Sequence, residues 1–228
     1  DQANTRTTMN DYLLLKFAHI LAFVYWLGGD LGTFLASREV INRENSPEAR
    51  HVALKIMLAC DMGPKLAMPL ILPLGVHLAA YGGWLPISAT LLGAIWLLCL
   101  YWFAVVLVLY LNEGKPFTAR LSRADFWFRI VFATCLGIWA LSSILPGAGM
   151  APWISWKLLV FVAMVGCGVF IRLNLTPFVP AFADLMANGP DEENNSAMER
   201  SIGRCRPWVW CIWGGLFINA ALGLRLVG

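Results

Sequence analysis

Charge is what this sequence has least of. Only 14% of its 228 residues are Asp, Glu, Lys or Arg while 59% are hydrophobic, against about 25% charged in an ordinary soluble domain. That balance excludes a solvated globular fold and describes one polytopic membrane domain over residues 1–228. The net charge of +3 is small and comes from loop residues, so nucleic acid is excluded as a partner. The six cysteines form no Cys-x-x-Cys pair, which argues against a disulfide framework or a zinc site and leaves them as small apolar residues. Histidine is equally scarce, with three in the chain: His19, His51 and His77. There is no soluble cofactor domain, so nicotinamide or flavin chemistry would need a partner protein.

What is present is a series of long apolar runs. Spans are predicted at about 12–36, 63–82, 87–111, 126–144, 153–176 and 207–226, giving an all-α six-transmembrane-helix bundle. The first run is too long for a signal-peptide core and is expected to be retained. Ser37 to Ala53 is polar, and Ser46-Pro47-Glu48 reads as a cap with proline at the first helical position. A short interfacial amphipathic helix is therefore expected between spans 1 and 2. Pro64, Pro69 and Pro73 predict a kinked or loosened second span. Residues 146–152 read as a tight turn, and 187–197 as the one flexible loop.

Thirteen of the 17 Lys and Arg residues fall on one face of this arrangement, and four, Arg6, Lys16, Lys157 and Arg225, on the other. The positive-inside rule then puts both termini outside, in the periplasm of a bacterial inner membrane.

Ionisable residues within spans are functional candidates by default. His19 lies about eight residues inside span 1 and His77 about eight before the end of span 2, so antiparallel helices bring both to one level. Two intramembrane imidazoles at matched depth suggest ligands to the iron of haem b. Helices in contact are only ~8–10 Å apart, so a haem stands between them only if spans 1 and 2 splay; otherwise one histidine binds iron, opposite water, Lys157 or nothing. At the other end, Asp30, Lys65 and Arg172 share a depth and read as a buried charge cluster, with snorkelling of the two cations as the alternative. His51 belongs to the polar segment and reads as a solvated surface residue.

The stretch from Lys16 through His19 to Trp26-Leu-Gly-Gly29 resembles the first helix shared by the HemJ-type protoporphyrinogen oxidases and the CopD-like copper-resistance membrane proteins. Met57 to Pro64, Trp153-Ile-Ser-Trp-Lys157 and Arg204-Cys-Arg206-Pro207 resemble further HemJ-type segments. The resemblance covers about half the chain; spans 3 and 4 have no counterpart, and Gly166-Cys167-Gly168 stands where a histidine is expected. It implies His19 as the haem-ligand histidine, Trp26 as its neighbour at the cofactor, Lys157 as the partner residue, and porphyrinogen-type oxidation passing electrons to quinone.

These readings predict a haem b redox protein of the membrane, an oxidoreductase with Lys157 beside a haem propionate or an anionic substrate. Lipid, a quinone or redox protein, and a further copy of the chain are the partners it would meet. A CopD-like copper transporter is the alternative, weakened by the lack of a Met-x-x-Met or Met/His cluster. A cofactor-free scaffold subunit is the third.

Overall fold

The three prolines of the second span do not interrupt it. In the computed structural model, which describes residues 2–145 and 149–226 and side chains from residue 9, helix α2 runs unbroken over Pro47–Tyr81 with Pro64, Pro69 and Pro73 inside it and buried. Each proline withholds an N–H from the carbonyl four residues back, and neighbours must cover what is freed. At Pro64 the neighbour is α1 (Gln2–Ile41). Its Gly29 comes so close that an added Cβ would lie 2.7 Å from the freed Cys60 oxygen and 2.5 Å from Pro64 Cδ. Gly63 answers from α2, where a Cβ would lie 2.8 Å from the Tyr25 oxygen.

This corrects one expectation. Ser46 does cap the helix, accepting from the Ala49 N–H at 3.3 Å, but no separate interfacial helix follows, because the capped segment continues straight into the span. Two further differences follow Pro177. A short helix α6 (Phe178–Asn188) precedes α7 (Glu192–Gly223), so 187–197 is helix on both sides of a brief turn. Asp191 caps α7 by accepting from the Asn194 N–H at 2.7 Å, with Glu192 and Glu193 in its first turn. α6 is the short amphipathic helix of this fold, burying Phe178, Phe182 and Leu185 against Val40, Met57 and Met198.

With α3 (Ala89–Leu111), α4 (Pro116–Ser142) and α5 (Pro152–Asn174), the described residues form seven helices and no strand. Contacts run α1–α2–α3–α4–α5–α7 and back to α1, closing a ring of six helices with α6 outside against α7. The chain is thus an all-α membrane helical bundle. Five segments are long and apolar enough to cross a bilayer: Met9–Ile41, Pro47–Tyr81, Ala89–Leu111, Pro116–Ser142 and Pro152–Asn188. α7 is not among them, because its first half is polar and only its second half matches the expected span at 207–226. Many large apolar side chains, such as Leu97, Trp127 and Leu145, face outward, as lipid contact requires. Trp26, Trp102, Phe161 and Met164 fill the ring.

The two ends of the ring differ. At one, Arg43 bridges Glu192 and Glu199 at 2.7 and 2.6 Å, and buried Arg50 donates to the Val40 carbonyl and to Asn195 Oδ1. His51 is half-buried here, stacked on Phe182, rather than solvated. These bonds hold Glu192 and Glu199 below the usual carboxylate range and push Arg43 up, the hydrogen bonds to Arg43 being the largest cause for both acids. This is the basic end. At the opposite end, Ala151 N–H donates to the Trp84 carbonyl at 3.0 Å, and Arg225, at φ 53°, lays its guanidinium over Trp84 and Trp153. Of the turn expected there, residues 146–148 lie outside the described residues, as does the Arg6 side chain.

Candidate functional site

α1 turns one face inward, and His19, Trp26 and Asp30 lie along it at spacings of seven and four residues. His19 rests on α2 at Gly75, where an added Cβ would stand 3.0 Å from its Cε1. Its ring reaches the Ile71 backbone, while Nδ1 is buried without a partner. Lys157 of α5 is close enough to act electrostatically on the imidazole, with its ammonium against Gly223 of α7, 2.8 Å from where a Cβ would stand, and 5.8 Å from the Trp153 ring. The two residues carrying the resemblance, His19 and Lys157, thus lie within electrostatic range of one another although distant in the chain.

His77 does not join them. It follows Gly75 by two residues, a rotation of about 200° at ~3.6 residues per turn, and faces α3, edge-on to Trp96 at 6.2 Å. A haem held between His19 and His77 does not fit. The imidazoles stand on different interfaces of α2, and α1 and α2 touch at glycine distance. Nδ1 of His19 is buried without a partner, as are Nδ1 of His51 and of His77, so what singles out His19 as an iron ligand is its place near Lys157 rather than the bare nitrogen.

Nearer the basic end the ring opens into a vestibule of about 610 Å³, running from Trp26 and Met68 to Glu113 and Gly114 in the α3–α4 turn. Asp30, Lys65 and Arg172 all line it, yet they are not one ion-pair cluster. Lys65 pairs with Asp61 one turn before it on α2. Arg172 pairs with Asp125 at 3.2 Å and donates to the Ser122 carbonyl and hydroxyl at 2.7 and 2.6 Å. Arg129 meets the same Asp125 oxygen at 2.9 Å. Asp30 receives the Trp26 side chain one turn away and keeps Oδ2 without a partner. Trp26 itself is buried, edge-on to Phe161 at 6.1 Å, and walls the vestibule off from the His19 layer.

Asp61, Asp125, Arg129 and Arg206 are vestibule residues that the sequence reading did not assign. Two carried a signal: Asp61 with Lys65 and Asp125 with Arg129 stand at i,i+4 spacing, the separation at which opposite charges meet on a helix. Among the described residues no group of three or more His, Cys, Asp or Glu is placed to hold a metal ion. Comparison with protein-family models, with curated proteins and with solved structures finds no match to this chain.

Proposed function

We propose that this chain is a membrane redox protein of the HemJ-type and CopD-like kind, holding haem b through His19 alone. The observation that carries the reading is that Lys157 of α5 lies within electrostatic range of His19, whose Nδ1 is buried without a partner. When bound, haem supplies one-electron transfer between a substrate and quinone or another carrier. The chain's own residues do the rest. The Ile71 backbone fixes the imidazole tautomer, as second-shell partners do at metal-binding histidines. Gly75 makes room for the ring, and Lys157, desolvated in the bundle, would offer its ammonium to a propionate or an anionic substrate. The Trp26–Phe161 pair excludes water from the vestibule side. The thirteen-to-four charge bias orients the basic end toward the cytoplasm of a bacterial inner membrane, with both termini outside once α7 makes the sixth crossing.

A copper reading has one observation of its own. Met57, Met62, Met68 and Cys205 all line the vestibule, and such sulfur donors suit Cu(I). Haemochrome and metal analysis of the purified protein separate the two. Haem in proportion to protein supports the proposal, copper without haem favours the CopD-like reading, and neither would return the chain to a scaffold role.

A further inference from the structure

We propose that the vestibule is a binding site for an amphiphile with a single anionic head, held by Arg206 and Arg172. The site is distinct from the His19 layer and independent of the iron reading. Its volume of about 610 Å³ falls within the ~300–1,000 Å³ of small-molecule sites. Most of its wall is apolar, contributed by residues such as Phe34, Met62, Val106, Val209 and Ile212.

The charges are divided between two walls and the α3–α4 turn, which supplies Glu113. On α1 and α2 stand Asp30 and Asp61, with Lys65 answering Asp61. On α4, α5 and α7 stand three guanidiniums, Arg129, Arg172 and Arg206, for one carboxylate, Asp125. Arg206 lies level with Arg172, because Cys205 Sγ meets the Ile171 carbonyl at 3.7 Å and Phe170 stacks on Trp208 at 4.4 Å.

Two polar atoms in this wall are left without partners. Arg206 Nε is buried and unpaired. Asp125, whose side chain is 3% exposed, gives one oxygen to both Arg129 and Arg172 and leaves Oδ1 buried and unbonded. A buried donor or acceptor without a partner is costly, and both atoms belong to residues that line the vestibule. An anionic head satisfies Arg206 and the positive charge of the α4–α5–α7 wall. A hydroxyl or acid proton on that head satisfies Asp125 Oδ1, and the apolar walls take the chain. A fatty acid and a glycerol-headed phospholipid share this chemistry.

The test is equilibrium binding of tritiated oleate and of tritiated phosphatidylglycerol to the full-length protein in a non-ionic detergent, with oleyl alcohol as uncharged competitor. Saturable binding of either probe is expected, and which one binds tells a free carboxylate from a lipid head. Arg206→Gln should weaken it about tenfold or more, as loss of a charge-assisted contact does. Arg204→Gln, exposed and outside the vestibule, should not. Val209→Trp, which fills the cavity without touching a charge, should block both probes and guards against an Arg206 variant that fails to fold. Equal binding by wild type and a folded Arg206→Gln, displacement by oleyl alcohol as effective as by oleate, or no saturable binding would overturn the proposal.

Discussion

Arg172 donates to Asp125 across the α4–α5 interface at 3.2 Å, and Arg129 of α4 donates to the same oxygen at 2.9 Å. One nearly inaccessible carboxylate thus holds two guanidiniums. Breaking a buried pair by removing one partner costs ~3–5 kcal/mol, and the lower end applies because Arg172 keeps 38% of its side chain exposed. Asp125→Asn should therefore lower the Tm clearly, and Asp125→Asn with Arg172→Met should recover part of the loss. Asp30→Asn breaks no ion pair and should leave the Tm almost unchanged. Equal Tm values for Asp125→Asn and wild type would show that the pair contributes nothing.

The α1–α2 contact makes a sharper contrast between neighbours. A Cβ at Gly29 would lie 2.5 Å from Pro64 Cδ and 2.7 Å from the Cys60 oxygen, whereas one at Gly28 would meet nothing within 4 Å. Pro64 and backbone cannot yield as a flexible side chain would, so Gly29→Ala should cost at least the ~1–3 kcal/mol typical of overpacking. Gly28→Ala should be neutral or stabilise by up to ~1 kcal/mol through helix propensity. Thermal melts in detergent measure both, and similar melts would contradict the close contact.

Those residues also show what sequence could and could not reveal. Long apolar runs and the Ser46-Pro47 cap made the helices and the start of α2 legible. α5 ends at Asn174, near the expected 176, but the loop expected at 187–197 is mostly helix, because Phe182 and Leu185 bury a face of α6 and Asp191 with two glutamates starts α7 well. Counting residues gave depth but not azimuth. Depth arithmetic therefore brought Asp30, Lys65 and Arg172 to one cavity without finding that each has another partner or none, and it put His19 and His77 at one level but not on one face. Asp125 was hidden by its place in an apparently polar, interfacial stretch.

The basic end should loosen in acid. Glu192 and Glu199 are held below the usual carboxylate range by Arg43, so their contribution is present above the ordinary glutamate value of about 4.3 and is lost as pH falls through the lowered values. High salt should act in the same direction, since Arg43 is solvent-accessible. Amide exchange in the first turns of α7 should accelerate in acid, and Arg43→Gln should show that faster exchange already at neutral pH. Exchange indifferent to both acid and Arg43→Gln would remove the clamp from the account.

Orientation can be tested by labelling. In a background with the native cysteines replaced by alanine, Glu193→Cys marks the basic end and Leu145→Cys the other. An impermeant thiol reagent should label Leu145→Cys in intact cells and Glu193→Cys only after permeabilisation. The reverse pattern would place the basic end outside.

The central claim is that His19, and not His77, holds the iron. With His19 as its one protein ligand, bound haem would remain open to carbon monoxide, so the reduced protein should carry a Soret band that shifts on adding it. Lys157→Met should keep the haem while altering its potential, as expected of a neighbouring charge. His77→Ala should keep the wild-type spectrum, because His77 stands against Trp96 on another face of α2. The decisive measurement is the reduced absorption spectrum of His19→Ala beside His77→Ala, with and without carbon monoxide: loss of haem in the first alone is the predicted result, and full haem content in His19→Ala would contradict the account.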